Sequence, residues 1–506
     1  MVRLRAKDIL YGFGEVGEIC KVAAYLFLLP IIFTFLEIRR YLPDIHEFFL
    51  HLIAFIIPSL VSYLLYKISK RFKRDDIKLK HILISVGIIW LLIPLIGSLP
   101  FIITGTLSPV KAFFESMSGW TTTGMTMIQH PQDLPKDILF FRGLIQWIGG
   151  IGVVALALAI FMREGTVAMK YYSSEVGKQK LKPSTRSTIN ETWKIYLIYT
   201  LACTLLLIIL GVTPFDALLH SFTALSTGGF STHEESVAYY RAIFPVYQSF
   251  MIELVLIIFM IIGATSFLIH FNIFKGNFDT LLKNIEFKYL FILIFLVSLI
   301  ILIVSPNQTS AFDEIRDIIF HVTSAITCTG FSTAPLENWS EPSLALLIFL
   351  MYIGGIYGST SGGIKLLRFI AILKTIEYMI TRIALPKTIV RAIKIQEKTL
   401  EMEEIFEILI LAILYISFAF LGSIILAALT NFSFLSSMFL VFSAMSNVGL
   451  ISVPSDMWFS MQDSAIITLA MLMWIGRLEI FPVLIIIMSI FSFKIKKRKI
   501  PFRRPL

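Results

Sequence analysis

The chain has 506 residues, 57% of them hydrophobic and only 15% charged, with a mean hydropathy of +0.81. A soluble domain carries roughly a quarter charged residues, whereas here apolar runs of about 20 residues recur from end to end, each long enough to cross a bilayer; a sizeable soluble domain is excluded. The formal net charge is +10, but lysine and arginine gather in short loops and in a tail holding Lys494, Lys496, Lys497, Arg498, Lys499, Arg503 and Arg504, which is the positive-inside pattern of a multi-span protein and not a nucleic-acid surface.

The opening segment MVRLRAKDILYGFGE has no short apolar core followed by a small-residue cleavage site. It reads as a mature cytoplasmic end and not as a signal peptide. Two spans are predicted near 20–38 and 47–68, followed by a basic loop, Lys67-Ile-Ser-Lys70-Arg71-Phe-Lys73-Arg74, that places this side in the cytoplasm. The cysteines Cys20, Cys203 and Cys328 are too scattered for a CxxC motif or a disulfide framework.

From about residue 80 a larger unit occurs four times: an apolar span, a shorter amphipathic stretch, a Gly/Ser/Thr-rich element and a second apolar span. The first unit has these near 80–103, 110–120, 121–126 and 138–162; the second near 190–211, 214–225, 226–232 and 241–273. The third has them near 286–305, 311–326, 327–333 and 342–382; the fourth near 403–430, 434–445, 446–452 and 458–491. Residues 1–75 thus form a two-helix extension, and 76–186, 187–283, 284–400 and 401–506 form four repeats.

The short elements align without gaps. Ser118-Gly-Trp-Thr-Thr-Thr-Gly124 matches Thr223-Ala-Leu-Ser-Thr-Gly-Gly229, Ser324-Ala-Ile-Thr-Cys-Thr-Gly330 and Ser443-Ala-Met-Ser-Asn-Val-Gly449. Basic loops follow each of the first three units, with Arg163 to Arg186, Lys275 to Lys288 and Lys365 to Lys398, while the segments after the glycine elements are almost free of lysine and arginine. The expectation is an all-α membrane protein of about ten spanning helices and four re-entrant loops, pseudo-fourfold around a pore, with both termini inside.

Non-helical backbone at membrane depth must be buried in protein or line a watery cavity. A helix of 10–15 residues reaches roughly 15–22 Å, about half of the hydrocarbon core, and points its negative dipole end at the pore. Small residues and glycine then let carbonyls turn inward, and a cation shedding water needs several such oxygens. Four loops around an axis supply them where one cannot. Any single element is equally consistent with close helix packing; four in register are not.

The elements TTTGMT at 121–126, STGGFST at 226–232, TCTGFST at 327–333 and SNVGL at 446–450 resemble the filter loops of the Trk/Ktr/HKT potassium transporters. The two leading spans, QWIGGIGV at 146–153 and GRLEIFP at 476–482 make the TrkH branch the best match over essentially the whole chain. The resemblance implies K⁺ uptake across a bacterial cytoplasmic membrane through a selectivity filter of Thr122, Thr123, Gly124, Thr227, Gly228, Gly229, Cys328, Thr329, Gly330, Asn447, Val448 and Gly449. Glycine in all four loops goes with K⁺ preference in the family; Asn447-Val448 departs most from the other loops. The resemblance further implies a homodimer and a cytoplasmic ring of TrkA-type nucleotide-binding regulatory subunits.

The segment Gly354-Gly-Ile-Tyr-Gly-Ser-Thr-Ser-Gly-Gly-Ile-Lys365 interrupts a span with a glycine density that is unfavourable for a helix. It reads as a gate below the filter, with Gly354, Gly355, Gly358, Ser359, Thr360, Gly362, Gly363 and Lys365 as its residues, and matches the family's intramembrane gating loop; a glycine packing seam is the alternative. It is no phosphate-binding loop, because Ile364 stands where lysine is required, so no nucleotide site is read in this chain. Arg477 and Glu479 fall inside the last long span, two residues apart and on different faces. Arg477 is either a positive pore barrier, as the resemblance implies, or a hydrogen-bond anchor for loop carbonyls. Glu115, Asp216, Asp313 and Glu314 read as acids near half-helix starts, where they cap or complement the dipole. An enzyme would need a catalytic dyad or metal cluster, and none is visible; His220, His270 and His321 have no ligand spacing. An ion-coupled carrier would need acids within the core helices, for which Glu253 is the main candidate.

Overall fold

The computed structural model describes residues 6–72, 79–161, 185–304, 310–384, 393–395 and 398–491. The basic tail and several loop cations used in the charge-sidedness reading (Lys73, Arg74, Arg163, Lys170, Lys178, Lys180, Lys182, Lys387 and Arg391) lie outside the described residues. The described chain is an all-α membrane fold, apart from a two-residue hairpin pairing Lys394–Ile395 with Lys398–Thr399.

Among the described residues, seven helices are long and apolar enough to cross a membrane, from Val16–Leu36 to Met402–Leu429. An eighth span is formed by Asp463–Arg477 and Phe481–Met488, bent by 108°. Lys136–Phe161, and Glu341–Ile353 with Leu366–Ala384, supply the second helices of the first and third units. Only 17% of the Ile285–Val304 window is buried, which for Phe295 and Ile303 on its outside means contact with lipid.

Each unit carries a half-length helix after its first span: Pro109–Trp120, Pro214–Leu225, Ala311–Thr327 and Phe434–Met445. Serine or threonine stands at every N-cap position, as Ser108, Thr213, Ser310 and Ser433, where a side-chain oxygen can take an orphan backbone N–H. In the second and third units Thr213 and Ser310 accept from the N–H of Asp216 and Asp313, whose carboxylates accept the cap hydroxyls in return. These two acids lie in the first turn, where they complement the helix dipole and hold the cap hydroxyls, while the caps themselves are Thr213 and Ser310. Glu115 does not: it lies in the middle of its helix, fully buried. Glu314 is buried too, with neither carboxylate oxygen bonded.

Two second spans expected to run on are broken, and that of the third unit is interrupted over the glycine-dense segment singled out in the sequence. Val246–Gly263 stops before Ala264–Ser266, the third opens over 354–365, and the last turns at Leu478–Ile480, where Glu479 and Ile480 both have positive φ. Gly263 and Gly476 press against the Leu225 and Met445 carbonyls at the ends of their own half-helices, so close that a Cβ would fall under 3.0 Å from them. Gly149 meets the Trp120 carbonyl in the same way.

The leading helices Ala6–Leu26 and Ile45–Ser69 pack together where Gly17 leaves room for Ser69. At their other end they clasp the start of Lys136–Phe161. Arg40 donates to the Asp133 carbonyl at 2.8 Å, Glu37 accepts the Lys136 N–H at 2.8 Å, and Thr34 and His51 both reach the buried Asp137 carboxylate at 2.8 Å.

Candidate functional site

Each half-helix ends in the same non-helical loop. The N–H groups of Thr123, Gly228, Thr329 and Val448 donate to the carbonyls of Ser118, Thr223, Ser324 and Ser443 at 2.8, 2.8, 2.9 and 2.8 Å. In three loops the next N–H, on Gly124, Gly330 or Gly449, donates to the Ser118, Ser324 or Ser443 hydroxyl at 3.0 Å; in the second, Gly229 donates to the Thr223 carbonyl instead, at 3.3 Å. Thr122, Thr227, Cys328 and Asn447 take φ of 55°, 51°, 58° and 51°, and the glycines two positions on take 93°, 75°, 88° and 98°. The residue between each pair stays at negative φ. A left-handed β-branched threonine is strained, and its occurrence at one register in two loops marks a backbone held by its surroundings. Such alternation of φ sign between successive residues occurs in neither a regular helix nor a regular strand.

The glycines close the four loops into a ring. A Cβ on Gly124 would meet the Gly228 carbonyl, one on Gly229 the Thr329 carbonyl, one on Gly330 the Val448 carbonyl and one on Gly449 the Thr123 carbonyl, each under 3.0 Å. Each loop therefore abuts the next, in chain order, and the fourth returns to the first. All twelve predicted filter residues lie in this ring, and the non-glycine members are buried. Asn447 donates through Nδ2 to Thr123 Oγ1 at 3.0 Å and to the Met473 carbonyl at 3.2 Å, and asparagine tolerates the left-handed backbone better than most residues.

Buried polar groups fix the ring from behind. Gln146 donates to the Gly228 carbonyl at 2.6 Å and accepts from Phe230 N–H at 3.0 Å. Its amide fills the space a Cβ on residue 228 would need, which explains glycine where the other loops have Thr123, Thr329 and Val448. Glu115 accepts from Arg142 at 2.9 Å, from the Met127 N–H at 2.8 Å and from Thr126 Oγ1; Arg142 also donates to the Ser231 carbonyl at 3.1 Å. Between the second and third units, Glu253 lies between Arg241 at 2.6 Å and Arg316 at 2.8 Å. A carboxylate so neutralised is a structural ion pair, and the carrier role considered for it loses its basis.

Outside the ring lies a cavity of about 570 Å³ whose lining includes Gly124, Gly229, Gly330 and Gly449 together with the exposed acids Glu234, Glu235 and Glu337. On the other side lies the 354–365 loop. Thr360 Oγ1 is within hydrogen-bond distance of the Gly263 carbonyl (2.9 Å), the Leu225 carbonyl (3.2 Å) and Thr227 Oγ1 (3.0 Å), so the loop touches a filter residue directly. Gly362 abuts the Ser446 carbonyl, and Gly354 and Gly363 pack on one another. Gly358 accepts from the Phe267 N–H, Ser359 donates to Ile356, and Lys365 donates to the Ser361 carbonyl within the loop. Arg477 donates to the Thr360 carbonyl at 3.0 Å and the Gly149 carbonyl at 3.2 Å. Glu479 pairs with Arg368 at 2.6 Å and not with Arg477.

The TrkH model, described as a cation transport protein, matches residues 45–494. The chain belongs to that family. An uncharacterized cation transporter of Methanocaldococcus jannaschii is 36% identical over 84% of this chain and 85% of its own length. The Trk system potassium uptake protein TrkH of Halomonas elongata is 36% identical over 65% of this chain and 68% of its own. The crystal structure of the potassium transporter TrkH from Vibrio parahaemolyticus superposes with a TM-score of 0.80 at 28% identity, covering 94% of this chain and 98% of that one.

Set beside this TrkH-family frame, the supporting residues are what the sequence left unassigned. Gln146 lies within the quoted QWIGGIGV run, but nothing in one sequence pairs it with residue 228. Arg142 and Glu115 are 27 positions apart and signal each other only as opposite charges in apolar surroundings.

Proposed function

We propose that this chain carries K⁺ across the cytoplasmic membrane through the ring of four loops, as the TrkH-type cation transporter its family membership implies. The observation that carries the reading is the cyclic contact of each loop glycine with the carbonyl before the next loop's glycine. An ion on the axis would meet a carbonyl from every loop at each level, replacing its hydration shell, with four half-helix C-termini adding negative dipole ends. Preference for K⁺ over Na⁺ rests on the four glycines and on what the TrkH relatives are named for.

In this reading the exposed acids of the outer cavity raise the local cation concentration, and the 354–365 loop is the gate. Arg477, bonded to the Thr360 carbonyl, anchors the gate and places a positive charge beneath the filter. Regulation falls to a cytoplasmic TrkA-type nucleotide-binding subunit, and the chain works as a homodimer with both termini in the cytoplasm.

The test is ⁸⁶Rb⁺ uptake into proteoliposomes with K⁺ or Na⁺ as competitor. K⁺ and Rb⁺ are expected to permeate well above Na⁺, and Gly124→Ser, which sets a Cβ against the Gly228 carbonyl at φ +93°, to narrow that gap. Uptake indifferent to substitution of every filter glycine would overturn the pore reading.

A further inference from the structure

We propose that the end of the leading two-helix hairpin remote from the outer cavity is a binding site for the headgroup phosphate of an anionic phospholipid. The contact of Gly17 with Ser69 brings Lys21 on the first helix to the end of the second, where Lys67 lies in the last helical turn and Lys70 and Arg71 in the short 3₁₀ turn that follows. The ammonium groups of Lys21 and Lys70 both lie over the single ring of Tyr66, at 5.6 and 4.3 Å from its centre, and Lys67 lies over Tyr63 at 5.0 Å. The two rings are themselves 5.9 Å apart.

Among the described residues no ion pair joins any of these four cations to a carboxylate. Among the described residues Glu18 is the acid whose charge acts on Lys70, one carboxylate set against four cations. Like charges gathered over one aromatic ring repel, and an anion set between them relieves that repulsion while the rings keep the lysine stems in place.

The apolar surface leading into the cluster decides for a lipid over a soluble anion. Along the second helix Leu60, Tyr63, Leu64 and Lys67 follow at helical spacing on one face, with Leu60 61%, Tyr63 41% and Leu64 58% exposed. This face runs from leucine through tyrosine to lysine, in the order of acyl chain, interface and headgroup. The helix from Ile45 to Ser69 is about 37 Å long, and its Ile45 end, holding His51 against Asp137, is on the side of the outer cavity. The cations are therefore one membrane thickness away, at the opposite boundary, where juxtamembrane basic clusters meet anionic lipid.

The experiment is native mass spectrometry of the full-length protein after detergent exchange, with dioleoyl phosphatidylglycerol or dioleoyl phosphatidylcholine added at matched concentrations. The wild-type chain is expected to retain phosphatidylglycerol selectively. The combined variant Lys21→Gln, Lys67→Gln, Lys70→Gln and Arg71→Gln is expected to retain about tenfold less or lower. Neutralising Lys194, Lys275, Lys283 and Lys288 controls for total charge and should leave retention unchanged, as should replacing the three lysines of the cluster by arginine. Should the combined variant fail to fold, Lys70→Gln alone gives the same direction. Equal retention of the two lipids, equal loss in the charge control, or displacement by millimolar glycerol phosphate would each overturn the proposal. The readout uses no ion flux, so its outcome is separate from that of the K⁺ reading.

Discussion

The ion pair of Arg142 and Glu115 is almost wholly out of solvent, at 2% and 0% exposure, and it serves two ends at once. It satisfies a carboxylate buried in the first half-helix and, through the Ser231 and Thr126 oxygens, holds the strands of chain that leave the first two filter loops. Removing one partner leaves the other charged and buried, which is worth about 3–5 kcal/mol. Arg142→Ala should therefore lower the melting temperature of the purified protein sharply, and the double change Arg142→Met with Glu115→Leu should recover much of that loss. If the double variant is as unstable as the single one, the penalty does not come from an unpaired Glu115. Flux through both should discriminate K⁺ from Na⁺ less well, since neither restores the bond to Ser231. Gln146 acts likewise, with both ends of its amide engaged; Gln146→Leu unpairs the Gly228 carbonyl and the Phe230 N–H, at about 1–3 kcal/mol for each buried group.

At the scale of elements, the third unit differs from the other three in a way that sets its role. In the first, second and fourth units, Gly149, Gly263 and Gly476 bring the second helix directly against the end of its own half-helix. In the third the corresponding stretch has unwound into the 354–365 loop, and it packs against neighbours from the second and fourth units, through Gly263, Thr227 and Ser446. A segment tied by a few side-chain bonds opens more readily than a helix. Thr360→Val keeps the volume and removes the hydroxyl that meets Gly263, Leu225 and Thr227. Rubidium uptake is expected to rise several-fold with the K⁺ to Na⁺ ratio unchanged. A changed ratio with unchanged rate would instead assign Thr360 to the filter.

Across the whole molecule, the two leading helices contribute no residue to the ring, yet with the segment joining them they organise the outer end of the first unit, through Thr34, Glu37 and Arg40 of that segment and His51 of the second helix. Glu37→Ala with Arg40→Ala should leave ion selectivity intact while speeding amide hydrogen exchange across residues 131–137, because these two side chains bind backbone groups of that segment. Protection as strong as in the wild type would mean that the segment is held by its own unit.

How much of this was legible in advance follows from the range of the interactions involved. The half-helices Pro214–Leu225 and Phe434–Met445 have the bounds expected for them, since their caps, lengths and following glycines are local signals. Local patterns also determined the membrane spans and the register of the four loops, because hydropathy and small-residue spacing act over a few turns of chain. The breaks at 264–266 and 478–480 were not legible, as they follow glycines that meet carbonyls 38 and 31 positions away, Gly263 on Leu225 and Gly476 on Met445. Nor was Glu115, whose partner lies on another helix. The closed order of the ring, the reason for Gly228 and the partners of Arg477 were decided only by the tertiary structure. Each depends on the distance between backbones far apart in the chain, and in one sequence the side chains that meet leave no periodicity to read.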